Sequence, residues 1–184
     1  LNAADIPTGR GDGVPASSLI EVQDKARLVQ ALSAPADTRY LLAHTGGYGF
    51  IATVKDMSSR IKAGKVVVSL EKDEQLLPPR LINDADASPQ LALLTDQQRL
   101  LIYPLFEVRA LSKGRGLMLI SLQKDEALQD AVIFNQDLAI KGDGRGGKES
   151  SITLSALQQA EYAGPRGRRG KSVTTSWKKL RLGV

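Results

Sequence analysis

The sequence contains no cysteine, and its 184 residues include a single histidine, His44. The absence of cysteine excludes a disulfide framework and a thiolate metal site, and it is consistent with a reducing cytoplasm. Aromatic residues make up only 4% of the chain, so leucine, valine, isoleucine and alanine must fill the core. No apolar run approaches the roughly 18 residues of a membrane-spanning helix, and Leu1–Asp5 lacks the features of a signal peptide.

A short motif of glycine and basic or small residues occurs four times at a regular spacing. We number these motifs from the N-terminus as box 1 (Gly9–Gly11), box 2 (Lys62–Gly64), box 3 (Gly114–Gly116) and box 4 (Arg168–Gly170). Their last glycines are 53, 52 and 54 residues apart, and such a period is typical of a repeat architecture. The repeat extends beyond the boxes, because Ser-Leu-x-Lys-Asp-Glu-x-Leu begins at both Ser69 and Ser121.

Short apolar runs bounded by turn residues predict strands around each box. Boxes 2 and 3 are each followed by an apolar run, and the copy after box 1 is a looser one at 19–22. A pair of apolar runs joined by a turn precedes each of boxes 2 to 4, namely 40–45 with 48–54, 90–95 with 99–104, and 137–141 with 151–154. The prolines at positions 78 and 79 disfavour a helix over 76–82 and, by equivalence, favour strands over 19–32. The alternative for 23–32 is one helix, since its residues favour that state. Residues 1–18 are predicted to be a loop, and only 155–161 is predicted to be helical.

These elements predict an all-β fold, a β-pinwheel or propeller-like array of four-stranded antiparallel blades. A single small sheet cannot bury both of its faces, but blades packed radially against one another can. We expect one domain, 1–184, with about three complete blades and part of another, in repeats of approximately 1–39 (partial), 40–89, 90–136 and 137–184. Because the chain does not begin with methionine and the first repeat has no hairpin before its box, we interpret it as a fragment.

Basic residues are concentrated towards the C-terminus. The net charge is +5, but residues 1–138 carry 15 bases and 17 acids, a net charge of −2. Residues 139–184 carry 10 bases and 3 acids, a net charge of +7. A disordered basic tail or a solvated loop is the alternative interpretation. Four boxes at a common spacing favour a curved positive surface along equivalent blade edges, which would bind a polyanion.

Three apparent sites have simpler explanations. The stretch 142–148 has the glycine and lysine spacing of a phosphate-binding loop, but Glu149 stands where Ser or Thr should meet magnesium and no long helix follows. A hairpin turn explains it better. The glycines at 9–13 open no helix, so they do not form a dinucleotide fingerprint. His44 is interpreted as a strand residue, and no constellation of residues suggests catalysis.

The boxes, with the strands predicted between them, resemble a known family, the C-terminal domain of the A subunit of bacterial type IIA topoisomerases. The stretches that carry the resemblance are 46–50, 60–65, 111–116 and 167–170, which look most like the topoisomerase IV branch. The gyrase hallmark Gln-Arg-Arg-Gly-Gly-Lys-Gly is absent, and the sequence has only partial matches to it at 145–148 and 166–171. That departure favours relaxation and decatenation of chromosomes over chiral wrapping of DNA.

The resemblance implies a non-catalytic domain that binds and bends duplex DNA, preferably bent or crossed, along a basic rim. It also implies partners, namely an ATPase B subunit together with the rest of the A subunit, in the bacterial cytoplasm at the nucleoid. No cofactor is expected in this chain, with ATP and Mg²⁺ bound elsewhere in the enzyme. The candidate DNA contacts are Arg10, Arg60, Lys62, Lys113, Arg115, Arg145, Lys148, Arg166, Arg168, Arg169 and Lys171.

A gyrase-type DNA-wrapping domain is one alternative function within the same family. Two further alternatives come from other classes of protein. A β-propeller scaffold for protein partners would need an exposed apolar patch, and its binding would depend weakly on salt. An enzyme that uses the 142–148 loop would bind a nucleotide and lose that binding when Lys148 is changed.

Overall fold

The part of the chain that the structure describes forms three antiparallel sheets, here called blades 1 to 3. The computed structural model of the chain describes residues 9, 11–21 and 27–184. Blade 1 has the order β3-β1-β2-β6, from β1 (Arg39–Ala43), β2 (Tyr48–Thr53), β3 (Arg80–Leu81) and β6 (Leu117–Met118). Blade 2 has the order β10-β5-β4-β7, from β4 (Gln90–Thr95), β5 (Arg99–Pro104), β7 (Leu128–Phe134) and β10 (Lys171–Ser172). Blade 3 has the order β11-β8-β9, from β8 (Leu138–Asp143), β9 (Glu149–Leu154) and β11 (Lys178–Gly183). The all-β prediction is confirmed.

Each blade is built around a hairpin whose turn has a left-handed residue at the same place. In blade 1, the backbone N–H of Gly47 donates to His44 O at 2.9 Å, and Gly47 has a φ of +79°. Gln98 takes this left-handed place in blade 2, where its N–H donates to Thr95 O at 2.9 Å. In blade 3, Gly147 occupies the same place with a φ of +77°. The stretch 142–148 is therefore part of a β8–β9 hairpin, as predicted.

Within the described residues, the elements other than strands are two short helices and three 3₁₀ turns. The helices are α1 (Val54–Met57) and α2 (Ala156–Glu161), and the 3₁₀ turns are Ala16–Ser18, Leu105–Glu107 and Arg145–Gly147. Helix α2 was predicted, whereas Val54 was expected to end a strand. Thr53 and Asp56 form a capping box at the start of α1, which satisfies free amide groups and ends β2 at Thr53.

Blade 2 is buried on both faces. Leu91 and Leu93 of β4 pack in the core shared with blade 1, whereas Ala92 and Leu94 pack in the core shared with blade 3. Because side chains alternate along a strand, such a blade needs apolar residues at successive positions. The apolar runs of β4 and β5 meet this need, and both of their apolar faces are covered only because blades 1 and 3 lie on either side.

Blades 1 and 2 each take their last strand from the repeat that follows. Strand β6, directly after box 3, pairs with β2, and β10, directly after box 4, pairs with β5. The box glycines allow this pairing, since a Cβ at Gly116 would lie 2.4 Å from Gly49 O and one at Gly170 would lie 2.8 Å from Leu100 O. The boxes thus mark the points where one repeat joins the sheet of the previous one.

Several predicted strands are shorter than expected or do not form. Residues 27–32 form no strand, and Leu28 and Val29 are 64% and 76% exposed. The run 66–70 makes only an isolated bridge at Val68, and the run 117–122 is a strand only at Leu117–Met118. A strand needs a neighbouring edge for its N–H and C=O groups, and no described hairpin offers one to 27–32. Residues 1–8, 10 and 22–26 of the predicted N-terminal loop and strands lie outside the described residues.

Replacing Gly116 with alanine should destabilise the domain more than replacing Gly64. Both glycines have positive φ, which costs a residue with a Cβ about 1–2 kcal/mol, but no atom lies within 4 Å of the Cβ position at Gly64. At Gly116 the new Cβ would overlap Gly49 O and add about 1–3 kcal/mol. Urea unfolding of both variants measures the difference, and equal losses would contradict this account of β6 packing.

Candidate nucleic-acid interface

Successive boxes are joined by backbone hydrogen bonds. Beside box 3, the N–H of Gly114 donates to Val67 O at 2.9 Å and the N–H of Ser69 donates to Gly114 O at 3.0 Å. The equivalent bonds beside box 4 run from Gly167 N to Leu119 O (2.9 Å) and from Ser121 N to Arg168 O (3.2 Å). Each box loop therefore lies against the segment that follows the previous box. This arrangement brings boxes 2, 3 and 4 into one series of neighbouring loops.

Most of the predicted contacts are exposed cations. Seven of them are exposed and, within the part of the chain that the structure describes, have no carboxylate at ion-pair distance: Arg60, Lys62, Lys113, Arg145, Lys148, Arg168 and Lys171. Arg60 and Lys62 lie on the loop between α1 and β3, Lys113 precedes β6, and Arg168 precedes β10. Arg10 lies outside the described residues.

Arg115 of box 3 is held against blade 1. Its Nη1 and Nη2 donate to Glu74 Oε2 and Oε1 at 3.0 and 2.7 Å, and Nη1 lies 3.0 Å from Glu71 Oε1. Its Cζ lies 4.6 Å from the ring centroid of Tyr48, a cation–π contact. Burial disfavours the charge on Glu74, but the Glu71 N–H and the Arg115 guanidinium outweigh it and hold the pKa of Glu74 below its usual range. The guanidinium is therefore largely satisfied within the protein.

Arg169 of box 4 occupies the equivalent place against blade 2. Its Nη2 lies 3.5 Å from Oε2 of Glu126, whose side chain is fully buried. Glu126 also accepts hydrogen bonds from Thr95 Oγ1 at 2.8 Å and from the Gln123 N–H at 2.9 Å. Nε of Arg169 is buried and has no hydrogen-bond partner among the described residues. Arg115 and Arg169 thus differ from the exposed cations beside them.

The remaining predicted contacts lie near the ends of blades 2 and 3. Arg166 is half-buried, since its Nη1 donates to Met118 O at 2.6 Å and its backbone N–H donates to Glu107 Oε2 at 3.0 Å. Arg145 and Lys148 flank the β8–β9 turn and lie apart from the boxes in sequence. That turn borders an open cleft also lined by Ser176, Lys178 and Lys179.

The sequence did not predict the polar cluster around His44. The side chain is fully buried, its Nε2 is 3.3 Å from Arg115 O, and its Nδ1 is 3.3 Å from both the Gly46 N–H and Glu74 Oε2. A neutral imidazole that donates from Nε2 and accepts at Nδ1 satisfies both backbone groups. Burial lowers the pKa of His44, and although the Glu74 carboxylate opposes that shift, the pKa remains below its usual value. The repeat was the signal in the sequence that could have revealed this cluster. Thr95 holds in blade 2 the place of His44, and it contacts Glu126, which is the counterpart of Glu74.

No helix within the described residues is long and apolar enough to cross a membrane. The same residues contain no group of three or more His, Cys, Asp or Glu side chains arranged to hold a metal ion.

Known proteins resemble this chain over almost its whole length. It is 38% identical over 181 residues to the A subunit of DNA topoisomerase 4 from Neisseria gonorrhoeae, an alignment that covers 96% of this chain and 23% of that protein. The corresponding protein of Escherichia coli K12 is 29% identical over 174 residues, covering 92% of this chain and 23% of that protein. The chain thus spans about a quarter of the length of these curated relatives. No protein-family model matches it.

The fold agrees with this similarity. The solved structure of the E. coli ParC C-terminal domain superposes with a TM-score of 0.89 at 26% identity, covering 100% of this chain and 75% of that one. A gyrase A C-terminal domain shares the fold, with a TM-score of 0.67 at 17% identity over 98% of this chain and 59% of that one. The domain is a β-pinwheel of the class found in the A subunits of bacterial type IIA topoisomerases. Within that class, it belongs with the C-terminal domains of topoisomerase IV A subunits.

Replacing His44 with threonine, the residue at the equivalent place in blade 2, should remove one source of acid sensitivity. Because burial lowers the folded-state pKa of His44, the unfolded chain binds the proton first as the pH falls below about 6.5. The free energy of unfolding of the wild type should therefore decrease from that pH down to the lowered folded-state pKa. Urea unfolding at pH 8 and pH 5.5 should show the wild type losing more stability than the variant. An identical loss in both proteins would assign the acid sensitivity to other groups.

Proposed function

We propose that this domain is a non-catalytic module that binds duplex DNA through its box loops as part of a topoisomerase IV enzyme. The observation that carries the proposal is the series of neighbouring loops from which Lys62, Lys113 and Arg168 project without a carboxylate partner among the described residues. Unpaired cations at regular intervals suit the regular charges of a phosphate backbone. The similarity to topoisomerase IV A subunits supports DNA as the polyanion.

The contacts should go to phosphates rather than to base edges. Sequence readout needs a helix or a strand ribbon that enters a groove, whereas these cations lie on short glycine-containing loops or, for Lys171, at the start of an edge strand. We therefore infer binding with little sequence preference that favours bent or crossed duplexes. Bending a duplex over several blades costs on the order of a few kcal/mol, which additional phosphate contacts must offset.

The proposed enzyme supplies the chemistry elsewhere. We infer that other parts of the A subunit, together with an ATPase B subunit, carry out DNA cleavage and ATP hydrolysis and hold ATP and Mg²⁺. The domain would direct relaxation and decatenation in the bacterial cytoplasm at the nucleoid. The absence of the seven-residue gyrase box from the sequence favours this role over gyrase-type wrapping.

Replacing Arg168 with alanine should weaken DNA binding and reduce its dependence on salt. Removal of one phosphate contact lowers the slope of log affinity against log salt concentration by about one. Lys55→Ala is the matched control, since Lys55 is an exposed cation on α1, at the end of β2 away from β6. Fluorescence anisotropy with a labelled duplex at several salt concentrations measures both variants.

The control should keep the wild-type slope. Equal behaviour of Arg168→Ala and wild type would remove box 4 from the interface. Wild-type binding that hardly responds to salt would contradict DNA binding through the boxes and favour a protein-binding scaffold.

A further inference from the structure

The two half-buried box arginines each pair with the glutamate at the same position of the preceding repeat, Arg115 with Glu74 and Arg169 with Glu126. We propose that Arg115 and Arg169 are positioning residues that clamp each box loop to the preceding repeat, and that they do not contact DNA phosphates themselves. The inference rests on the proposed function, because what the clamps would position are the phosphate-binding cations beside them. Within box 4, Arg168 and Arg169 would then have different roles.

The partner of each clamp is the same acidic turn of the previous repeat. In that turn the carboxylate of Glu74 accepts a 2.8 Å hydrogen bond from the Glu71 N–H, and the carboxylate of Glu126 accepts a 2.9 Å hydrogen bond from the Gln123 N–H. The turns also share a left-handed aspartate one residue earlier, with φ of +68° and +61°. The box arginine reaches a carboxylate that the turn already holds in place, so the acidic side of the contact is preorganised.

Burial separates the clamp arginines from phosphate contacts. The side chains of Arg115 and Arg169 are each 28% exposed, whereas the neighbouring Lys113 and Arg168 are exposed and have no acidic partner among the described residues. A guanidinium already neutralised by a carboxylate releases few counterions when a phosphate approaches. Breaking the pair to free the arginine would leave Glu126, which is fully buried, without its counter-charge.

Box 2 provides a natural comparison within the same chain. When the boxes are aligned on their last glycines, Ala63 takes the place of the clamp arginines. Ala63 is exposed, and no atom lies within 4 Å of the Cβ position at Gly64, whereas Gly116 and Gly170 are pressed against a neighbouring strand. Close docking of the box loop therefore accompanies the arginine, and box 2 retains only its exposed lysine, Lys62.

This arrangement gives the clamps a function in DNA geometry. The loops of boxes 3 and 4 are each held by an ion pair and by the glycine contact, so the spacing between Lys113 and Arg168 is set by the protein. A bend in a bound duplex requires phosphate contacts at a fixed spacing and angle. Loss of a clamp should leave the number of phosphate contacts unchanged but reduce the bend that they impose.

The test compares Arg169→Ala and Glu126→Gln with the exposed neighbour Arg168→Ala, all in the 184-residue protein. Duplex bending is measured by energy transfer between end-labelled dyes at saturating protein, well below the melting temperature, and the salt slope is measured by anisotropy. The clamp variants should keep the wild-type salt slope, bend DNA less, and melt roughly 5–10 °C lower. Arg168→Ala should lower the slope by about one and keep the wild-type melting temperature.

The Glu126→Gln variant should still fold, because the glutamine amide can accept from the Gln123 N–H and donate to Thr95 Oγ1. If Arg169 is instead a phosphate contact restrained by Glu126, Glu126→Gln should tighten binding and Arg169→Ala should lower the salt slope by about one. Either result would overturn the clamp, as would an undiminished bend in both variants.

Failure of the clamp is distinguishable from failure of the proposed function. The Arg169→Ala/Glu126→Gln double variant should melt no lower than the less stable single variant, a coupling that requires no DNA. Additive losses would overturn the clamp even if DNA binding is intact. Absence of duplex binding by the wild type would overturn the proposed function, and with it the role of the clamp in bending, whatever the melting data show.

Discussion

A sheet that is apolar on both faces requires a neighbour on each side, and the rest of this domain depends on that constraint. Blade 2 meets it by packing Leu91 and Leu93 against blade 1 and Ala92 and Leu94 against blade 3. Each of these two cores belongs to two blades, so much of the stability of the domain comes from contacts between adjacent repeats. The regular spacing of the surface loops follows from this stacking. Such a spacing would suit a polymer whose charges are also regularly spaced.

The box is the point where that stacking is reinforced and where function would be added. Its last glycine lets β6 or β10 approach the previous hairpin, and its arginine in boxes 3 and 4 pairs with a buried or half-buried glutamate. The neighbouring cations Lys113 and Arg168 remain exposed. The box and the residues beside it therefore serve both the packing of the domain and its electrostatic surface.

This chain resembles known proteins at two levels, its fold and its sequence. The gyrase A C-terminal domain shares the fold, while the similarity to topoisomerase IV A subunits extends to the sequence. Repeats of this kind place the same loop on every blade, so small changes in the boxes can alter how many cations each blade presents. Ala63, at the place that arginine occupies in boxes 3 and 4, is one such change within this chain.

The sequence alone determined the repeat period, the all-β class, the hairpins and the one predicted helix, α2, because these depend on local patterns of apolar, glycine and capping residues. It could not determine that 27–32 forms no strand, since a strand depends on an edge supplied by distant residues. Nor could it separate Arg169 from Arg168, which are adjacent and chemically identical. Only the tertiary structure placed one beside the buried Glu126 and the other in solvent, because burial and ion pairing arise between repeats rather than within one.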